Sequence, residues 1–116
     1  MCTLAAYVQV SAAIPLLVAA NRDELLDRPS AEPGLIAAAP WVFAGQDLHA
    51  GGTWFGVNQH GMVVGLLNRR RAAGADPSRR SRGLLCLEML QTSGPDEAAE
   101  RLCRRRAEYS RAGRAA

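Results

Sequence analysis

The chain of 116 residues contains no lysine, and all 14 of its basic residues are arginine. Alanine is abundant as well, so this bias reflects the base composition of the coding sequence as readily as a binding partner. No apolar run is long enough to span a bilayer, and the first residues lack the positive region of a signal peptide. Three widely spaced cysteines make neither a disulfide framework nor a zinc pattern. We therefore expect one soluble, cytoplasmic domain.

Positive charge is concentrated in the second half of the chain. Residues 1–68 contain two arginines and five acidic residues, whereas residues 69–116 contain twelve arginines and six acidic residues. This region lacks interleaved aromatic side chains and matches no recognition motif, so we expect no specific nucleic-acid partner. His49 and His60 have no ligand-like spacing with other donors, and we expect no metal.

Cys2 directly follows Met1, whose removal would leave a thiol and an α-amine on one residue. An α-amine with a pKa of about 7.7 to 8.0 is a base near neutrality, and the thiol is a strong nucleophile. A cysteine at the start of a strand is more often a small buried apolar residue. The residue alone therefore leaves both interpretations open.

The first half of the chain predicts a hairpin. Residues 3–10 and 16–20 have the character of strands, with a turn at 11–15, and the second strand is continuously apolar, as a buried strand is. The second strand ends in a polar block, Asn21-Arg22-Asp23-Glu24. An antiparallel pair would place Cys2 beside this block. The alternative interpretation of the block is a solvated turn with a local ion pair.

Beyond the hairpin, prolines and glycines predict a loop over residues 25–40, followed by a short strand at 41–44 and a turn at 45–47. Gly51 and Gly52 precede an aromatic strand, where paired glycines permit a bulge or the close approach of a backbone or ligand. Residues 62–67 predict a buried strand that ends at Asn68. The Asn68 amide could donate to an oxyanion or cap the following turn.

Two helices are expected in the last third of the chain. One begins near Ser81 and has a broad apolar stripe, and the other has Pro95 in its first turn. Cys86 and Cys103 fall on the apolar faces of these helices, so we expect both to be core thiols. Ala98, Ala99 and Leu102 are expected to join Cys103 in the core.

These motifs, in this order, resemble the NRDE family, also described as the transport and Golgi organisation protein 2 family. The resemblance rests on spaced segments that run from the first residue to about Tyr109. They are Met1-Cys2, the block at residues 19–24, Arg28-Pro29, residues 44–47, residues 51–56, Asn68 and residues 81–84. It implies an NRDE-family domain over residues 1–109 and a divergent tail rich in arginine and alanine over residues 110–116.

The family is in turn similar to N-terminal nucleophile hydrolases, which implies an α+β fold with αββα layers, here only its N-terminal part. By this resemblance Cys2 is nucleophile and base, Arg22 and Asp23 position it, and Asn68 donates to the oxyanion. The order of the NRDE block leaves open whether Asp23 or Glu24 takes the acidic role. The binding residues implied are Asn21, Glu24, Arg28, Gly51, Gly52 and Trp54.

The resemblance also implies a reaction without metal or organic cofactor, on a linear amide bond. The alternative function is non-catalytic handling of a small hydrophobic or anionic ligand, such as a lipid or haem. Because family members are longer, we expect a truncated chain whose unpaired sheet edges favour self-association.

Overall fold

The computed structural model describes residues 2–68 and 78–109. Two antiparallel sheets and two helices make up this part of the chain, which confirms the α+β class. The first sheet contains β1 and β2, and the second has the order β3-β4-β5-β6. The elements are β1 (Thr3–Ser11), β2 (Ile14–Asn21), β3 (Ser30–Ala38), β4 (Trp41–Asp47), β5 (Phe55–Asn58), β6 (Val63–Gly65), α1 (Arg82–Leu90) and α2 (Pro95–Arg105), followed by a 3₁₀ turn at Arg106–Glu108.

The β1–β2 hairpin forms as expected, with Thr3 opposite Asn21 and Val8 opposite Leu16. The prediction that its second strand is buried is wrong, since Leu16 and Leu17 are 45% and 51% exposed. The reason is that, among residues 2–68 and 78–109, this sheet consists of two strands, and α1 packs on β5 and β6 of the other sheet. An apolar run identified the strand correctly but did not show what covers it.

The predicted loop at residues 25–40 is wrong over most of its length, because β3 occupies Ser30–Ala38. β3 lies at the edge of the four-stranded sheet, and its register with β4 shifts between Ala31 and Gly34. A proline is tolerated at an edge or a bulge, where its missing N–H breaks no ladder. This explains how Pro33 lies within a strand. β4 likewise continues through the predicted turn to Asp47, while β6 is shorter than expected.

The core lies between the four-stranded sheet and α1. Val42, Ala44, Cys86 and Leu90 form its buried cluster. The Ser81 side chain accepts from the Gly83 N–H and caps α1, as the sequence predicts.

The second helix departs from expectation. No described α2 side chain is buried, Leu102 is 41% exposed and Cys103 is exposed. α2 packs mainly on α1 and on the following 3₁₀ turn. These two elements cover only part of its apolar face. Cys86 is a core thiol as predicted, whereas the prediction for Cys103 is wrong.

No helix in the described part of the chain is long and apolar enough to cross a membrane. The predicted tail at residues 110–116 lies outside the described residues.

Candidate functional site

A cavity of about 480 Å³ lies where the open end of the hairpin meets the start of α1. The hairpin supplies one wall through Cys2, Leu4 and the residues that follow β2. The loop before β5 and the segment after β6 supply the opposite wall, and residues 79–83 close one side. The cavity thus brings together chain segments that are far apart in sequence.

The hairpin register places Cys2 at this cavity. Because Thr3 pairs with Asn21, the residue before Thr3 lies beside Arg22. The Asn21 side-chain oxygen accepts from the Thr3 N–H at 3.0 Å and ties the two strand ends together. The Cys2 sulfur accepts from the Asp23 N–H at 3.4 Å, so the backbone after β2 donates directly to the thiol.

An ion pair connects the loop after the hairpin to the four-stranded sheet. The Arg28 guanidinium donates to the Asp47 carboxylate through Nη2 at 2.6 Å and Nε at 3.1 Å. The Asp47 carboxylate also accepts from the backbone N–H groups of His49 and Ala50. Burial disfavours the charged form of Asp47, but these donors outweigh that effect and hold its pKa below the ordinary value.

Arg22 makes the second connection between the hairpin and the sheet. Its guanidinium carbon lies 4.3 Å from the centre of the Trp54 ring, a cation–π geometry. The guanidinium is also 3.4 Å from Glu24 and 3.8 Å from Asp47. Glu24 in turn lies 3.9 Å from Arg28. The polar block of the sequence is therefore an ion-pair cluster that packs against an aromatic ring.

The orientation of the Asn68 amide is set by α1. Arg82 Nη2 donates to Asn68 Oδ1 at 2.6 Å. A guanidinium has no acceptor, so the amide must present its oxygen to Arg82 and keep Nδ2 on the other side. Asn68 lines the cavity, and its NH₂ group is a donor that a developing oxyanion can use.

The structure places most of the predicted site residues on one cavity. Its lining includes Cys2, Asn21, Arg22, Glu24, Arg28, Trp54 and Asn68. Asp23 stands beside this lining and contacts Cys2 through its backbone N–H.

Gly51 and Gly52 are outside the lining and shape the wall behind it. Gly51 has a φ of +76° and its N–H donates to the Asp47 carbonyl in a turn. A Cβ at Gly52 would collide with the backbone of Gly83, whose carbonyl accepts from the Thr53 N–H. The close approach expected for this glycine pair is made by another backbone.

Sequence reasoning assigned no site role to Asp47 or Arg82, although both line the cavity. Each stands in a segment that carried the family resemblance, residues 44–47 and 81–84, which was the available signal. Their contacts depend on partners 19 and 14 residues away, so the sequence does not show them.

Among the described residues, no group of three or more histidine, cysteine or acidic side chains is arranged to hold a metal ion.

Comparison with known proteins identifies the family. The family model of Transport and Golgi organisation 2 matches residues 1–111. The chain belongs to the Transport and Golgi organisation 2 family. A member from Mus musculus, the "Transport and Golgi organization 2 homolog", is 35% identical over 78 residues, which cover 65% of this chain and 28% of the mouse protein. No solved structure matches the chain.

Proposed function

We propose that this member of the Transport and Golgi organisation 2 family is a cysteine N-terminal nucleophile amidohydrolase that acts on a linear amide bond. The observation that supports this proposal is the shared cavity of Cys2, Arg22 and Asn68. A nucleophile, a cation beside it and an amide donor are the groups that acyl transfer needs. The proposal requires removal of Met1, since only then do thiol and α-amine belong to the same residue.

In the proposed reaction, the α-amine of Cys2 accepts the proton of its own thiol. The sulfur then attacks the amide carbonyl carbon, and the electron pair of the carbonyl moves to its oxygen, to which Asn68 Nδ2 donates. The C–N bond breaks as the α-amine passes the proton to the leaving nitrogen. Water attacks the resulting thioester, releases the carboxylic acid and restores the thiol.

The contacts around Cys2 favour Asp23 over Glu24 for the acidic role. Glu24 is engaged with Arg22 at 3.4 Å and lies 3.9 Å from Arg28. Asp23 is adjacent to the sulfur through its backbone, at 3.4 Å. We therefore assign Asp23 to position the α-amine and Arg22 to position the thiol.

In the same proposal, the two sheets and the helices are the N-terminal part of an αββα arrangement. Residues 1–109 form the NRDE-family domain and residues 110–116 a divergent tail. A cysteine nucleophile of this kind works as a free thiol, which suits a reducing compartment such as the cytoplasm.

The first test is the intact mass of the expressed chain before and after reaction with p-nitrophenyl acetate, which acylates thiols. We expect loss of Met1 and one acetyl group on Cys2, accompanied by a burst of p-nitrophenolate. Cys2→Ala should abolish the burst and leave only slow acetylation of the exposed Cys103. Cys103→Ala is the matched control, because Cys103 is exposed and lies outside the cavity. Met1 retained, or acetylation shared evenly by Cys2 and Cys103, would overturn the catalytic proposal.

A second candidate function is ligand handling without catalysis, of the kind the family name suggests. The cavity supports it through apolar lining from Leu4, Leu66 and Leu67, beside the Trp54 ring. Titration with haemin or a fatty acid tests it through the quenching of tryptophan fluorescence. Binding that Cys2→Ala leaves unchanged, in a chain that p-nitrophenyl acetate does not acylate at Cys2, would favour this function. Absence of binding would exclude these two ligands.

A further inference from the structure

The described lining of the cavity carries more positive than negative charge. It contains five arginines, Arg22, Arg28, Arg79, Arg80 and Arg82, against two carboxylates, Glu24 and Asp47. A concave surface with an excess of one sign of charge concentrates ions of the opposite sign. What matters for a ligand is which of these guanidinium groups is not already neutralised.

Three of the arginines have carboxylate partners of their own. Arg28 makes a two-point contact with Asp47. Arg22 lies 3.4 Å from Glu24. Arg80 lies 3.0 Å from Glu88, which is outside the cavity lining. The charge of these groups is largely balanced within the protein.

Arg82 differs from these three. Its described contact is the neutral oxygen of Asn68 at 2.6 Å, and the ion pairs of the described residues do not include it. The side chain is half-buried and lines the cavity at the start of α1. A partly buried guanidinium without a carboxylate partner is a strong site for an anion, because its planar donors match a carboxylate or phosphate.

We propose that the molecule bound in this cavity carries a carboxylate or phosphate group, and that Arg82 recognises it. This inference rests on the cavity of the proposed function and defines its substrate class as acidic. Under the hydrolase proposal the substrate is an amide with an anionic group on one side of the bond. Arg82 then has two roles, because it also keeps the Asn68 amide oriented.

Two alkylating reagents of nearly equal size test this inference. Iodoacetate is anionic and iodoacetamide is neutral, and both convert a thiol to a thioether with release of iodide. The ratio of their rate constants at Cys2, read by peptide mass, is compared with the ratio at Cys103 of the same chain. Cys103 is exposed and supplies an internal reference. We expect the ratio to be about tenfold higher at Cys2 than at Cys103.

Substitutions assign the effect to Arg82. Arg82→Gln removes the charge but can still donate to Asn68, and it should reduce the ratio at Cys2 to that at Cys103. Arg82→Lys should keep most of the preference, since it keeps the charge. Arg104→Gln, an exposed position that pairs with Glu100, removes the same charge far from the cavity and should change nothing. Circular dichroism establishes that each variant is folded.

Protection from iodoacetamide distinguishes the two anions. If acetate slows the alkylation of Cys2 more than inorganic phosphate does, the ligand carries a carboxylate. If inorganic phosphate slows it more than acetate does, the ligand carries a phosphate. Equal ratios at Cys2 and Cys103, or an equal loss in Arg82→Gln and Arg104→Gln, would overturn the inference. Alkylation does not require hydrolysis or removal of Met1, so the inference can stand where the catalytic proposal fails.

Discussion

The hairpin and the four-stranded sheet are both antiparallel, but they differ in how they are supported. The sheet packs on α1, and Val42 and Leu90 in the core between them are 0% exposed. The hairpin leaves Leu16 and Leu17 about half exposed. Cys2, a residue of the candidate site, directly precedes β1 of the less supported element. The Asp23 N–H after β2 donates to its sulfur, whereas Asn68 and Arg82 reach the same cavity from the segments that follow β6 and begin α1.

The two regions meet at a small number of contacts. Leu4 of β1 lies against Gly65 of β6, and Arg22 packs on Trp54. The Asp47 carboxylate forms ion pairs with Arg22 and Arg28, which follow the hairpin in the chain. These contacts form a junction between the hairpin and the sheet, and the geometry of the cavity depends on this junction rather than on a continuous core. Substitutions in the hairpin and in the sheet should therefore have unequal effects on stability.

The largest expected effect is on the sheet side of the comparison. Leu90→Ala leaves a void in the core and should reduce the free energy of unfolding by about 2–5 kcal/mol. Leu17→Ala on the hairpin, where the side chain is 51% exposed, should cost less than about 1 kcal/mol. Urea unfolding followed by circular dichroism measures both. Similar losses at the two positions would mean that the hairpin is covered as well as the sheet is.

Asp47→Asn should have the next largest effect, because it breaks the connection between the regions. Loss of the charged hydrogen bonds from Arg28 should cost about 1.5–3 kcal/mol. Arg104→Gln is a control in which an exposed ion pair of α2 is broken, and it should cost less than about 1 kcal/mol.

The same substitution predicts a change in acid sensitivity. The pKa of Asp47 is lowered in the folded protein, so its contribution to stability is complete above its ordinary pKa of about 3.9 and is lost as the pH falls through the folded value. Urea midpoints between pH 7 and pH 3 should therefore converge for the native chain and Asp47→Asn. A constant difference between the two urea midpoints across this pH range would contradict a lowered pKa of Asp47 in the folded protein.

Gly65→Ala should have a smaller effect on stability and a local effect on the hairpin. The added Cβ would meet the Leu4 methyl group, which can move because it is the end of a flexible side chain, so we expect a cost of about 1 kcal/mol. Hydrogen exchange in β1 and β2 should become faster, while β4 and β5 remain protected. Gly34→Ala is the control, since nothing lies within 4 Å of its Cβ position. An equal increase of hydrogen exchange in β1, β2, β4 and β5 would argue against a junction that is separate from the core.

The smallest expected effect on stability is that of Cys103→Ala, within about 0.5 kcal/mol, since the side chain is exposed. Cys103 and Cys86 should also differ in their reactivity toward thiol reagents. Burial raises the pKa of the Cys86 thiol to about 12, so a thiol reagent at pH 8 should label Cys103 quickly and Cys86 only on unfolding. Labelling of Cys86 as fast as that of Cys103 in the folded chain would show that the core around Cys86 is accessible to the reagent.

Local patterns predicted the elements more reliably than their surroundings. The hairpin, the Ser81 cap and the helix that begins at Pro95 follow from the residues themselves. The strand at Ser30–Ala38 was missed because Pro33 and Gly34 are turn formers in isolation, and only an edge position with a shifted register accommodates them. Cys103 was misplaced because helical periodicity identifies an apolar face but not the element that covers it.

Residue patterns along the chain were sufficient to predict the family, the hairpin and the set of polar side chains at the strand ends. These follow from local residue patterns and short spacings, which need no knowledge of distant contacts. The ion pair of Arg28 with Asp47 and the hydrogen bond from Arg82 to Asn68 became visible only in the folded chain. Both contacts join separate segments, and a hydrogen bond depends on distances of about 3 Å that only the packed chain can set.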